Sequence, residues 1–203
     1  MPKIVDKDEK KRNIAIASID LFAEHGLKTS MESIAKAANV GKGTVYLYFK
    51  TKEEIIIEIW NFVDELLDNS RQEKLNEAKS NAEKLLILFD FSELEKNGLA
   101  EKLLKIYAIN MSLILTLSDE GLHENYNEHS CVELNEIKKY LQAGVDCGEF
   151  IELDVDMVGK LFQKMHIGIL FDSMCKHITI EELKQEFYTQ LDFLIKMIKK
   201  ENR

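Results

Sequence analysis

The amino-acid sequence predicts an all-α protein of about nine helices, and three observations support this class. A single proline, Pro2, and nine glycines interrupt the 203 residues, so long helices can form. Apolar residues recur at helical spacing, whereas no long stretch alternates as a half-buried strand does. A capping box, Ser or Thr followed three residues later by Glu, begins at four positions: Thr29, Thr51, Ser80 and Thr179.

The expected helices follow from these signals in order. The first covers residues 7–25 and ends at Gly26, since glycine tolerates the left-handed conformation that closes a helix. The second opens at Thr29, the third covers residues 42–49, and the fourth opens at Thr51. The remaining helices are expected over residues 81–96, 99–117, 124–147, 154–176 and 180–200.

Composition predicts a globular protein of the cytoplasm. Hydrophobic residues make up 45% and charged residues 31% of the chain. The charged N-terminus lacks the apolar core of a secretion signal, and no apolar run reaches the ~18 residues of a membrane helix. Three cysteines, Cys131, Cys147 and Cys175, lack pairing or metal spacing, which indicates reduced thiols.

Charge is distributed unevenly along the chain. Residues 1–52 hold ten Lys or Arg and six Asp or Glu, although the whole chain has a net charge of -9. A basic head on an acidic body would orient the protein toward nucleic acid. Taken alone, so small an excess is better explained by chance variation, so charge does not decide.

A helix-turn-helix is predicted between residues 29 and 49. Small residues, Ala35 and Ala38 among them, let two short helices cross closely, and Asn39 suits the positive φ of a tight turn. Gly41 then caps the third helix. In such proteins the second helix of the motif enters the major groove of DNA.

The predicted DNA contacts lie on or beside this third helix. Lys42 can bind guanine or phosphate, and Gly43 allows close approach to the duplex. Hydroxyl groups and a further lysine at the helix starts can bind bases or phosphates. The full set of predicted contacts is Thr29, Ser30, Lys42, Gly43, Thr44, Tyr46, Tyr48 and Lys52.

Residues 29–53 follow the pattern T-S-M-x-x-I-A-x-x-A-x-V-x-x-G-T-V-Y-x-Y-F-x-x-K-E. This run resembles the DNA-binding domain of the TetR family of bacterial transcriptional regulators, and a weaker match follows at Gly148-Glu149-Phe150. Two positions depart from the family: Asn39 stands where Gly is usual and Gly41 where Ser or Thr is usual. The resemblance implies a helix-turn-helix DNA-binding domain, residues 1–51, and an effector-binding and dimerisation domain, residues 52–203.

The same resemblance implies a homodimer formed by the last two helices. These helices carry more apolar surface than one buried face requires, as a four-helix bundle between subunits would. A monomer whose two helices are simply core is the alternative. The predicted interface residues are Val158, Leu161, Met165, Ile169, Leu183, Phe187, Leu191, Leu194 and Ile198.

An effector pocket is predicted in the helical body, where family members bind a small molecule. Methionines and aromatic residues there suit an adaptable, hydrophobic effector. Ordinary core packing is the alternative for each residue taken singly. The predicted lining residues are Tyr107, Met111, Leu115, Tyr126, Phe162, Met165 and His166.

Catalysis, a metal and a cofactor are not expected. His123 and His129 are six residues apart rather than four, so one helical face does not present both rings to zinc. No phosphate loop or nucleophile elbow is present. The sequence therefore predicts a dimeric repressor that binds a palindromic operator and is released by an effector. The alternatives are a chromosome-organising protein of the same fold, or a helical ligand carrier.

Overall fold

The computed structural model describes residues 7–117 and 120–200, and this part of the chain folds into α-helices without a β-strand. A 3-10 helix over Gly26–Lys28 follows the first α-helix. The ten α-helices are α1 (Lys7–His25), α2 (Met31–Ala37), α3 (Lys42–Tyr48), α4 (Lys52–Glu77), α5 (Asn81–Leu88), α6 (Ser92–Lys96), α7 (Ala100–Thr116), α8 (Glu120–Asp146), α9 (Val155–Lys176) and α10 (Ile180–Ile198). The prediction of an all-α fold is confirmed.

The extra helix arises because the segment expected as one helix, residues 81–96, breaks after α5. Phe89 turns into the core, and the Asp90 carboxylate accepts a hydrogen bond from the Ser92 amide at 2.8 Å. The Lys74 ammonium donates to the same carboxylate at 2.5 Å. Burial raises the pKa of Asp90, but these hydrogen bonds and the Lys74 charge outweigh it and hold that pKa below its usual range. Asp90 therefore stabilises the turn between α5 and α6.

The start of α2 lies one residue later than the sequence predicts. Ser30, not Thr29, is the N-cap: its hydroxyl accepts from the Ser33 amide at 3.0 Å, and Ser33 Oγ accepts from the Ser30 amide at 3.1 Å. The predicted capping box of Thr29 with Glu32 is wrong, because the side chain that accepts from the N-cap amide is that of Ser33. The box of Thr179 with Glu182, at the start of α10, is confirmed.

The chain divides into two compact units. Among the described residues, unit 1 contains 7–67, 94–117 and 120–125, and unit 2 contains 68–93 and 126–200. The helix α7 belongs to unit 1 because it packs against α1. The boundary after residue 51 divides the chain by expected function, and it stays a prediction.

The core of unit 1 fixes the helix-turn-helix. Its fully buried apolar side chains come from α1 to α4, from Phe49 just after α3, and from α7. Gly26 has the left-handed conformation expected at the end of α1, with φ 56°. The largest members of this core are Ile14, Phe22, Ile34, Phe49, Ile55, Ile56, Ile59 and Ile106.

In unit 2 the segment Gly148-Glu149-Phe150 fastens three helices together. The Glu149 carboxylate accepts from the backbone amides of Asn81 and Ala82 at 2.7 and 3.0 Å, at the positive end of α5. The Glu149 carbonyl accepts from the amide of Lys200, just after α10. The Phe150 ring is buried against the end of α8. The Gly148-Glu149-Phe150 segment, which is the weaker sequence match, therefore has a structural role: it joins α5, α8 and α10.

Candidate DNA interface and effector region

The turn between α2 and α3 has the backbone that the sequence predicts. Asn39 has a left-handed φ of 51°. The amide of Ala38 donates to the carbonyl of Ile34, and that of Val40 to the carbonyl of Ala35, both at 2.9 Å. The turn is thus fixed by its own hydrogen bonds, and Asn39 has the positive φ that glycine adopts readily.

One face of α3 packs into unit 1 and the opposite face is exposed. Gly41 precedes the helix in an extended conformation, as an N-cap does. Val45 and Phe49, one turn apart, are fully buried. Tyr46 and Leu47 are 49% and 77% exposed. The helix is therefore anchored on one side and offers the other side to a partner.

Leu47 is a candidate contact that the sequence analysis missed. It lies two residues after Val45, about 200° around the helix from that buried side chain. The helical period therefore contained the signal that Leu47 faces outward. A strongly exposed leucine on a helix that enters a major groove can contact a thymine methyl group.

The other predicted contacts on α3 differ in exposure. Lys42 and Gly43 are exposed, whereas Thr44 and Tyr48 are half-buried. Lys42 Nζ lies 3.9 Å from the Glu32 carboxylate, an exposed ion pair that restrains it little. A Cβ at Gly43 would meet nothing within 4 Å, so the protein leaves this surface open.

Two of the three predicted contacts outside α3 are already used within unit 1. The Thr29 side chain is 2% exposed, and its hydroxyl donates to the Leu21 carbonyl at 2.9 Å. Thr29 is therefore removed from the predicted contacts, because its hydroxyl cannot reach a phosphate. The half-buried Lys52 donates to the carbonyl of Leu27, which holds its ammonium beside the end of α1. Ser30 is exposed at the N-cap of α2.

Part of the predicted dimer interface lies in the core of unit 2 instead. Four of its side chains are at most 9% exposed: Ile169, Phe187, Leu191 and Ile198. Four others are half-buried against that core: Val158, Met165, Leu183 and Leu194. The four buried residues belong to the core of unit 2 and do not lie on an exposed face. Helical spacing groups side chains on one face, but it does not tell whether the same chain or a partner covers that face.

A different face of α9 is exposed and partly apolar. Its exposed positions alternate at intervals of four and three residues, the spacing of a helix–helix seam. Leu161 and Phe171 are 53% and 52% exposed, and a Cβ at Gly168 would meet nothing within 4 Å. We call this face the α9 stripe: Met157, Leu161, Lys164, Gly168, Phe171 and Cys175.

The seven residues predicted to line an effector pocket are divided between the two units. Those of unit 1 are Tyr107, Met111 and Leu115, and those of unit 2 are Tyr126, Phe162, Met165 and His166. Leu115 is 72% exposed and Phe162 is fully buried. That these side chains line one pocket stays a prediction.

Unit 1 has an open surface depression of about 550 Å³ between the end of α1 and α7. None of the predicted pocket residues lines it. Its lining residues are His25, Leu27, Lys28, Ala108, Ile109 and Ser112.

Unit 2 contains a half-buried polar cluster around Glu133. Glu133 accepts from His166 Nδ1 at 2.6 Å and from Gln163 Nε2 at 3.2 Å. Gln163 also donates to the Ser130 carbonyl at 2.6 Å. Burial raises the pKa of Glu133, but the hydrogen bonds from His166 and Gln163 and the charges of His166 and Arg71 hold it below its usual range. The carboxylate is therefore charged in a largely apolar unit.

Two further properties concern only the described residues. Within them, no group of three or more His, Cys, Asp or Glu side chains is arranged to hold a metal ion. None of their helices has the length and apolar character needed to cross a membrane.

A short helix that follows a tight turn, buried on one face and exposed on the other, has the architecture of a helix-turn-helix DNA-binding domain. The family model described as "Bacterial regulatory proteins, tetR family" matches residues 14–59. The fatty acid metabolism regulator protein of Bacillus subtilis is 32% identical over 172 residues, 83% of each chain. The chain belongs to the TetR family, and it is a DNA-binding transcriptional regulator.

Solved structures of related regulators extend this similarity to the whole fold. A transcriptional regulator FadR from Bacillus subtilis in complex with stearoyl-CoA is 26% identical, with a TM-score of 0.71 over 90% of this chain and 96% of that one. The fatty acid degradation regulator FadR from Bacillus halodurans is 28% identical, with a TM-score of 0.73 over 94% of this chain and 96% of that one.

Proposed function

We propose that this protein is a homodimeric repressor that binds a palindromic operator through α3 and is released by a long-chain acyl-CoA. The observation that carries the DNA-binding part is the exposed face of α3, opposite the buried Val45 and Phe49. A repressor of bacterial genes acts where the chromosome lies, so the proposal includes the cytoplasm.

Operator recognition combines contacts of two kinds. Lys42 and the hydroxyls of Tyr46 and Tyr48 are suited to phosphates, which fix the position of the protein on the duplex. Leu47 and the methyl group of Thr44 are suited to thymine methyls in the major groove. Two copies of α3, roughly one DNA turn (~34 Å) apart, would read a palindrome.

The proposed dimer forms through the α9 stripe. Its apolar members are exposed in the single chain, and Gly168 allows a partner helix to approach closely. On α10, Phe193 and Met197 are each 62% exposed and add apolar surface to unit 2. Burial of these side chains against a second copy would remove this area from water.

The Leu161→Glu variant tests this surface. We expect the dimer dissociation constant to rise on the order of a hundredfold, because each subunit would place a charge in the apolar seam. Sedimentation velocity at several concentrations measures the change. Val132→Glu is the matched control, since Val132 is 64% exposed on α8 and is not a member of the α9 stripe. Equal dimer dissociation constants for the two variants would exclude the α9 stripe as the dimer interface.

The effector class is inferred from the related regulators and from unit 2. One relative is named for fatty acid metabolism, and a related structure holds stearoyl-CoA. Here, unit 2 has an apolar, aromatic-rich core that includes Phe89, Phe162 and Phe187. An acyl chain is an apolar ligand of the kind that such surroundings favour.

Operator release tests the proposed effector. An operator found by genomic footprinting is titrated with the protein, and palmitoyl-CoA is added to the complex. We expect the operator dissociation constant to rise at least tenfold, because a ligand releases DNA only as far as it prefers the non-binding state. CoA alone is the control. Retained DNA at saturating palmitoyl-CoA would exclude acyl-CoA as the inducer.

A further inference from the structure

His166 has one ring nitrogen that is paired and one that is not. Nδ1 lies 2.6 Å from Glu133 Oε1. Nε2 is buried and has no hydrogen-bond partner among the residues that the structure describes. Polar atoms in protein interiors nearly always have partners, since an unpaired one loses the hydrogen bonds it makes with water. A buried ring nitrogen without a partner therefore marks a place where a ligand atom can bind.

The position of the His166 ring is fixed from the Glu133 side. Glu133 is itself held by Gln163, which is 3% exposed and bonded to the Ser130 carbonyl. A charged carboxylate at Nδ1 requires a proton on that nitrogen. A ring that also donates from Nε2 carries a hydrogen on each nitrogen, and the Glu133 carboxylate would balance the charge of such a ring.

Aromatic rings enclose the imidazole. Phe91 stacks on it with centroids 5.5 Å apart, and Phe89 and Phe187 approach its edges at 5.3 and 5.5 Å. The Arg71 guanidinium lies over the Phe91 ring, 5.6 Å from its centroid. These aromatic surroundings suit an apolar ligand that carries one acceptor atom.

We propose that His166 Nε2 donates a hydrogen bond to the carbonyl oxygen of an acyl effector, with Glu133 as the residue that positions the ring. This inference rests on the proposed acyl effector and names the atom that recognises it. A thioester carbonyl and a fatty-acid carboxylate present the same kind of acceptor. The Phe89, Phe91 and Phe187 rings would pack against the adjoining methylene groups.

Four ligands separate these contributions in calorimetric titrations of the full chain. They are palmitoyl-CoA, its thioether analogue S-hexadecyl-CoA, palmitate, and CoA alone. We expect the wild type to bind palmitoyl-CoA at least tenfold more tightly than the thioether, because only the thioester has a carbonyl acceptor directly beside the hydrocarbon chain. Palmitate binding with similar dependence on His166 would indicate that a free fatty acid is also accepted.

The His166→Phe variant keeps a ring of similar size and removes both nitrogens. It is expected to bind thioester and thioether equally, whereas His25→Phe, a change at an exposed histidine of unit 1, should keep the wild-type ratio. Glu133→Gln should give an intermediate ratio, since a neutral amide still accepts from Nδ1 but supplies no charge. Thermal unfolding checks that each variant is folded.

Each outcome bears on a different claim. Wild-type binding of thioester and thioether with equal affinity overturns the role of His166, whatever the variants do. The role of His166 is also overturned if His166→Phe retains the wild-type preference for the thioester over the thioether. If no acyl ligand binds the wild type at all, the proposed effector class fails, and this inference fails with it.

Discussion

Gly144→Ala is expected to destabilise unit 2 by about 3 kcal/mol. A Cβ at this position would lie 2.1 Å from Cδ2 and 2.3 Å from Cε2 of Phe150. The Phe150 ring is 1% exposed, and its neighbours Glu149 and Ile151 are bonded to α5 and α10, so it cannot move aside. The intrinsic helix preference for alanine, up to ~1 kcal/mol, is too small to offset this overlap.

Denaturant unfolding followed by circular dichroism measures the effect. Gly43→Ala is the matched control, since a Cβ there meets nothing within 4 Å, and its stability should not fall. In a Phe150→Leu background the Gly144→Ala change should be less harmful, because a smaller side chain relieves the overlap. A purely additive double mutant would show that the overlap with Phe150 is not the cause.

The helices were largely predictable because their signals are local. Periodicity and caps placed α1, and they placed α9 and α10 within two residues at each end. The break between α5 and α6 was not predicted, since it depends on Lys74 and Asp90, which are 16 residues apart. Likewise, the shift of the α2 cap to Ser30 follows from the burial of Thr29, a tertiary effect that the capping pattern does not contain.

The candidate sites could be predicted from the sequence to different extents. The exposed residues of α3 follow from one helix and its two buried anchors, so all but Leu47 were identified. The dimer residues on α9 and α10 depend on which face the protomer itself covers, and four of them proved to be core. Glu133 was missed because its partner His166 lies 33 residues away, and helical spacing does not relate residues on different helices.

Tyr46→Phe is expected to weaken operator binding about a hundredfold without loss of stability. The Tyr46 side chain is 49% exposed on the outward face of α3, where its hydroxyl can donate to a phosphate. A hydrogen bond to a charged group contributes roughly 1.5–3 kcal/mol, and a dimer on a palindrome would make two of them. A loss of about 3 kcal/mol corresponds to about a hundredfold in the dissociation constant.

Fluorescence anisotropy with a labelled operator, at several salt concentrations, measures the Tyr46→Phe effect and separates it from that of charge. Tyr46→Phe removes a neutral donor, so the slope of log affinity against log salt should stay unchanged. Lys42→Ala should reduce that slope by about one for each phosphate that the lysine neutralises in the wild type. Tyr188→Phe, a change at an exposed tyrosine of unit 2, is the control and should bind as the wild type does. If Tyr46→Phe also binds as the wild type does, the exposed face of α3 does not hold the phosphate through this hydroxyl.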